Sequence, residues 1–195
     1  MENERIYEQI RLMIATLAIS EEEWQAFFRG TTLRRVKTGT DLVRAGDLVQ
    51  SAFFCIEGLF RLYYTLPDGR EYNKSFVGER EFFTSYGALI TQRPSFFSIQ
   101  ALEDALVLEI PYPFLQELMN AHHKWERFVR QGVEALYLKK EERERQLLYA
   151  SARQRYDHFI RQYPSLAGRL PQYQIAAYLG ISPVSLSRLL RSQKS

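Results

Sequence analysis

The last stretch of the chain carries the residue types and spacings best suited to chemistry, and that chemistry is recognition of a polyanion. Placed at about 100° per residue from Pro183, Leu186, Leu189 and Leu190 fall on one side of a helix, and Val184, Ser187, Arg188 and Arg191 on the other. Ser182 is a good N-cap and Pro183 a good first helical residue, so the start of this helix is fixed. Arg188 offers a fork that matches O6 and N7 of guanine, and Val184 can meet a thymine methyl. Arg191, Lys194, Gln172 and Ser185 suit phosphate contacts, with Ser182 and Ser187 beside them at the same surface. An earlier helix from Gln172 turns Ile175 and Leu179 towards the leucine face, and Leu179-Gly180-Ile181-Ser182 breaks the two apart. An apolar-faced helix, a tight turn and a basic-faced helix spell a helix-turn-helix and point to double-stranded DNA.

The charge is distributed to match. Residues 1–149 hold 19 Lys/Arg against 22 Asp/Glu, a net of −3, whereas residues 150–195 hold 7 Lys/Arg against Asp157 alone, a net of +6. Such a split joins an acidic-to-neutral body to a segment meant for a polyanion. With 46% hydrophobic residues in 195, material for a proper core is present. Cys55 is the one cysteine, so no intrachain disulfide, cysteine-ligated iron–sulfur cluster or cysteine-based zinc site can form within one chain. A reduced cytoplasm fits. Residues 1–10 lack the order of a signal peptide and no apolar run reaches bilayer length, so no membrane partner is expected.

Several elements position the basic end. Ile6, Ile10, Met13, Ile14 and Leu17 recur at helical spacing, and Ser20 then caps a second helix that carries Glu21, Glu22 and Glu23 in its first turn. Trp24, Phe27 and Phe28 give that helix its buried face, and Gly30 stops it. From Leu33 to Ile110, glycines at 39, 46, 58, 69, 78 and 87 punctuate runs rich in Phe, Tyr, Val and Leu, the pattern of a small antiparallel roll. Phe53 to Ile56 and Leu59 to Tyr64 read as strands, Leu66-Pro67-Asp68-Gly69-Arg70 as a hairpin turn, and Ala105 to Ile110 as the closing strand. Phe114, Leu115, Leu118 and Met119 then mark a short helix, and a long one follows from His123 to about Ala150. Its stripe of Trp125, Phe128, Val129, Gly132 and Leu136 has more apolar surface than a roll can cover, so these residues are candidate dimer contacts. The opposing reading packs the helix wholly inside one subunit. The mixed charges from Lys139 to Arg145 read as a solvated face. Ser151 caps a further helix, with Tyr156, Phe159, Ile160 and Tyr163 as its core stripe until Pro164.

Four fragments carry more than periodicity: Phe76-Val-Gly-Glu79, Ile99-Gln-Ala-Leu-Glu-Asp104, Gln174-Ile-Ala-Ala-Tyr-Leu-Gly-Ile-Ser182 and Leu186-Ser-Arg188. In this order, with a roll, a long helix and a helix-turn-helix, the chain resembles the Crp/Fnr family of bacterial transcription regulators over nearly its whole length. The resemblance implies a homodimer on a near-palindromic site, a phosphate-binding cassette opening at Gly78 and Glu79, and Arg188 as the recognition-helix arginine. RNA polymerase and a small-molecule effector are further candidate partners. The departures matter as much. Members that bind cyclic AMP place an Arg-Ser or Arg-Thr pair late in the cassette, where this chain has Ser95 and Phe96; Arg93 stands two residues early, before Pro94. Residues 121–149 also lack the Thr and Ser that such members offer to adenine. A buried phosphate without its cation is costly, so no tight cyclic AMP binding is expected, Glu79 is left as a turn-capping carboxylate, and no cofactor is assigned. Where the family often has Arg-Glu, this chain has Pro183-Val184, which implies a different base preference.

The fold class expected is α+β: an antiparallel, jelly-roll-like β-roll flanked by helices, a long dimerisation helix and a helix-turn-helix domain. The expected division is 1–121 for the sensor, 122–150 for the dimerisation helix and hinge, and 151–195 for DNA binding. Two other classes compete. A cupin-type enzyme would aim histidines into the roll to hold a metal, but His122, His123 and His158 lie outside it; no metal site, catalytic residue or enzyme activity is expected. A sensor whose last helices bind protein would not need an acid-free basic end. Within the roll, Phe76, Phe82, Phe83, Tyr86, Phe96 and Phe97 either line an apolar effector pocket or are simply core.

Overall fold

A computed structural model describes residues 2–13 and 18–191, with the backbone alone at 2–5, 9 and 13. Ile14, Leu17 and Lys194 lie outside the described residues. The elements run α1 (Glu2–Met13), α2 (Glu21–Arg29), β1 (Thr32–Val36), β2 (Asp41–Val43), β3 (Ser51–Glu57), β4 (Phe60–Thr65), β5 (Glu71–Val77), β6 (Phe82–Phe83), α3 (Tyr86–Thr91), β7 (Ser98–Ala101), β8 (Ala105–Pro111), α4 (Tyr112–Ala121), α5 (His123–Tyr149), α6 (Ala152–Gln162), α7 (Gln172–Leu179) and α8 (Pro183–Arg191). Helices therefore flank two antiparallel sheets, as the residue pattern implies. The chain divides into two compact units, Met1–Leu62 with Phe76–Val133, and Tyr63–Ser75 with Glu134–Ser195.

The strands are ordered β1-β8-β3-β6 in one sheet and β2-β7-β4-β5 in the other. Strand β8 pairs with β1 from Thr32↔Glu109 to Val36↔Ala105, and with β3 on its other edge. Side chains alternate across a strand. Phe53, Cys55, Ala105 and Val107 accordingly enter the roll core with Val43, Phe60, Leu62, Val77, Ile99 and Ala101. Their neighbours Phe54, Ile56, Leu106, Leu108 and Ile110 face a second core built with Ile6, Ile10, Trp24, Phe27, Leu118 and Trp125. A sheet covered on both faces is why Phe53 to Ile56 reads as an uninterrupted apolar run.

Local chemistry sets the helix ends. Ser20 Oγ accepts from the Glu23 amide at 3.2 Å, and the Ser20 amide donates back to Glu23 Oε2 at 2.6 Å, a closed capping box. The Glu23 carboxylate also receives Lys124 Nζ at 2.9 Å, and the Ser20 amide foremost, then Lys124, holds its pKa down at about 2. Gly30 ends α2 with φ of −88°, so its need for glycine is steric: a Cβ there would run into the Phe114 ring. Phe27 stacks on Trp125 with ring centroids 4.9 Å apart, and burying each such side chain contributes about 1.5–3 kcal/mol.

In the second unit Ser151 closes another capping box with Gln154 at the head of α6. Phe159, Tyr163 and Tyr178 form a ring cluster with centroids 5.4–5.9 Å apart. Burial is the main force raising the Tyr178 phenol pKa above its ordinary value. Gly180 ends α7 in the left-handed region at φ of +69°, and its amide and that of Ile181 both donate to Ala176 O. That backbone suits glycine and makes the sharp turn into α8.

Candidate nucleic-acid interface

The turn delivers α8 with a defined start and two faces. The Ser185 amide donates to Ser182 Oγ at 3.1 Å, so Ser182 satisfies one of the free amides at the helix head. Leu186 is fully buried, and Leu189 and Leu190 are half-buried. On the other side Val184 is 60% exposed; Ser185, Arg188 and Arg191 are exposed, and Ser187 is half-exposed. Neither Arg188 nor Arg191 enters an ion pair among the described residues. Gln172 is exposed at the head of α7, next to Tyr173. One surface thus gathers cations, hydroxyls and a small apolar side chain, the set that contacts phosphates and base edges.

The long helix α5 separates its candidate contacts. Trp125 is 2% exposed and belongs to its own subunit's core, stacked on Phe27; α2 covers the first turn of the stripe, so Trp125 is corrected from dimer contact to core residue. Phe128 is half-buried against the Phe82 ring, with centroids 5.3 Å apart. Val129 is half-buried, and Gly132 and Leu136 are exposed. At helical spacing Val129, Gly132, Leu136 and Leu147 fall in one stripe, and Leu136 and Leu147 are 37% and 50% exposed.

The roll's candidate effector residues take unlike positions. Gly78 is buried, while Glu79 is exposed and accepts the Gly58 amide at 3.2 Å, which is the work of a turn-capping carboxylate. Ser95 is buried, and its hydroxyl bonds to Ser85 Oγ at 2.8 Å and to Phe97 O at 2.7 Å, so it is spent inside the loop. Phe96 stands 86% exposed. Of the aromatic set, Phe76, Phe83 and Phe97 are core, Tyr86 is half-buried, and Phe82 and Phe96 face outward. A cavity of about 150 Å³ opens elsewhere, lined by Arg35, Lys37, Glu57 and Asp104 among others. Among the described residues no group of three or more His, Cys, Asp or Glu could hold a metal, and no helix is long and apolar enough to cross a membrane.

Residues 33–122 match the family model of the cyclic nucleotide-binding domain. Strands β1 to β8 and helix α4 account for the match, and the rest of the chain falls outside it. No curated protein matches the chain by sequence. Solved structures share the whole architecture. The chain is similar to a mutant form of CooA from Carboxydothermus hydrogenoformans, with 17% identity, 93% of this chain and 84% of that one covered, and a TM-score of 0.76. It is also similar to the c-di-GMP responsive global regulator CLP of Xanthomonas campestris, with 19% identity, 87% and 89% covered and a TM-score of 0.71. A putative transcriptional regulator of the Crp/Fnr family from Eubacterium rectale matches at 15% identity, 91% and 84% covered and a TM-score of 0.71. The chain shares the fold of these structures, an antiparallel β-roll followed by a long helix and C-terminal helices.

Three residues that the sequence did not single out hold α7, the helix that precedes α8. Arg143 lies in the mixed-charge run read as solvated, yet it is half-buried, with its guanidinium carbon 3.9 Å from the Tyr178 ring centroid and a bond to Tyr178 O. Arg155 donates to Leu179 O at 3.0 Å and Ala150 O at 2.7 Å. Both cations thus sit at the carboxyl end of α7, where they complement its dipole. Asn73, on β5, donates to Gln174 O and Oε1 at 2.8 and 2.7 Å. A helical charge run gives no sign of which member turns inward, and a lone Asn in a strand gives none at all.

Proposed function

We propose that this chain is a DNA-binding transcriptional regulator of the Crp/Fnr type, acting as a homodimer on a near-palindromic site and independent of cyclic AMP. The observation that carries this reading is α8: a capped helix, anchored by buried Leu186, whose exposed side presents Val184, Arg188 and Arg191. In it Arg188 reads a guanine edge, Val184 touches a thymine methyl, and Gln172, Ser182, Ser185, Ser187, Arg191 and Lys194 hold phosphates or flank them. Residues 1–121 serve as sensor, 122–150 as dimerisation helix and hinge, and 151–195 as DNA-binding domain. The apolar stripe of half-buried Val129 and exposed Gly132, Leu136 and Leu147 supports pairing of two copies, and two recognition helices one duplex turn apart read enough bases for a specific site. Independence from cyclic AMP is supported by Ser95 being committed to Ser85 and Phe97, with Phe96 in the place of a phosphate-binding hydroxyl. An effector of another kind remains compatible with the domain. The test is Arg188→Ala in a binding assay on a duplex selected by the wild type: a loss of roughly 1–3 kcal/mol with blurred base discrimination is expected. Unchanged affinity and discrimination would remove Arg188 from the groove.

A further inference from the structure

The polar contacts of α7 carry a step beyond the assignment of α8. Asn73 is 3% exposed and Gln174 2% exposed, although they stand 101 positions apart in the chain. The Asn73 amide nitrogen makes both of its bonds to Gln174, one to the backbone carbonyl and one to the side chain, while Asn73 Oδ1 finds no partner among the described residues. Residues 63–75, which include Asn73, belong to the same compact unit as α7 and α8. Gln174 and Tyr178 are four apart on α7 and share a face, and Tyr178 is the residue that Arg143 covers. The adjacent face of the helix, about 100° round, gives Ile175 and Leu179, which with Leu186 of α8 are buried.

A buried pair with an unmet acceptor adds little net stability, because the desolvation of Oδ1 offsets the two bonds made. Its directional effect is larger than its energetic one. Two bonds from one amide fix both the rotation and the axial position of α7 at Gln174, and Arg143 and Arg155 fix its far end at the Tyr178 and Leu179 carbonyls. Helix α8 follows α7 through a turn of three residues, Gly180, Ile181 and Ser182, so its aim is set by where α7 is held.

We propose that Asn73 is a positioning residue for the recognition helix: the β4–β5 hairpin, through the Asn73–Gln174 amide contact, holds α7 so that α8 meets its bases in register. This rests on α8 being the element that reads DNA. Asn73 itself touches no nucleic acid, so its loss acts on discrimination and leaves the phosphate contacts as they are.

The experiment compares the full-length wild type with Asn73→Ala, Gln174→Ala and the double variant on two probes, a duplex selected by the wild type from a random pool and a random-sequence duplex, each over a salt titration. Taking the Asn73 donor away from the buried Gln174 acceptors predicts that Asn73→Ala shifts α7 and lowers affinity for the selected duplex roughly five- to thirty-fold. Affinity for the random duplex and the salt slope stay as in the wild type, and the double variant loses no more than the larger single loss. Equal losses on both probes, or wild-type affinity for the selected duplex, overturn the proposal. Amide hydrogen exchange separates this outcome from failure of the DNA reading. If the wild type selects no duplex at all, α8 is not a reader, and faster exchange at residues 174–179 in Asn73→Ala then still supports the hold on α7, whereas unchanged exchange overturns it.

Discussion

Gly58, between β3 and β4, offers the sharpest quantitative test of the roll that carries the cassette. Its φ is +105°, beyond the left-handed well that other residues occasionally enter, and a Cβ built there would lie 2.5 Å from Ala105 Cβ, 2.9 Å from its Cα and 3.1 Å from Asp104 O. Two of those three atoms are backbone, and Ala105 is pinned in the β1–β8 ladder opposite Val36. The turn is held as well, since the Gly58 amide donates to Glu79 Oε1 at 3.2 Å. Gly58→Ala therefore meets two penalties: about 1–2 kcal/mol for an L-residue in left-handed backbone, and about 1–3 kcal/mol for a contact that neither partner can relieve. A total of about 2–5 kcal/mol lowers the melting temperature by about 4–20 °C in a chain of this size. Thermal unfolding followed by circular dichroism reads the change directly. Adding Ala105→Gly removes the nearest atom, so the two substitutions together should fall short of additivity by about 1–2 kcal/mol. A Gly58→Ala melt within about 2 °C of the wild type would mean that the turn relaxes freely, and the close approach to β8 would not constrain it.

Three further outcomes are expected. Glu23, held at about 2 against an ordinary 4.5 by the Ser20 amide and Lys124, contributes stability that is complete above pH 4.5 and lost as pH falls towards 2; Glu23→Gln should flatten that acid limb and cost about 1 kcal/mol at neutral pH, as melts from pH 2 to 7 would register. Lys74 is depressed from 10.5 to about 8, by burial first and Lys140 second, so the unfolded chain binds more protons between those values and stability rises across that window. Lys74→Met should melt higher than the wild type at pH 7, with the gap closing above pH 10. If the chain pairs through the exposed stripe of α5, Leu136→Glu with Leu147→Glu should halve the mass seen by light scattering and lower the melt modestly at low protein concentration; a mass equal to the wild type's would remove this stripe from any pairing.

What was legible in the sequence was local. Ser20 with Glu23, Ser151, Gly180 and Ser182 act through backbone groups one turn away, and the residue types alone announce the caps and turns that the structure forms. Phe53 to Ile56 and Ala105 to Ile110 were likewise readable as strands, and their burial on both faces comes from the two cores that the structure packs against them. Cover supplied from elsewhere in the chain was not legible. Trp125 lies on the same helical stripe as Leu136, and only the position of α2 removes it from the exposed seam. Arg143 looks like its charged neighbours until Tyr178 is beneath it. Asn73 and Gln174 lie 101 positions apart, and no spacing rule links them. Ser95 and Phe96 were located by their place in the cassette, but their opposite orientations follow from the Ser85 and Phe97 contacts.

The measurement that bears most directly on the proposed function is selection of duplexes from a random pool by the full-length chain, at low salt and then at rising salt. DNA reading by a pair of α8 helices predicts an enriched sequence with two-fold symmetry, half-sites one helical turn apart and binding that weakens steeply with salt. No retention of any duplex even at low salt, or retention without sequence enrichment or symmetry, would contradict it.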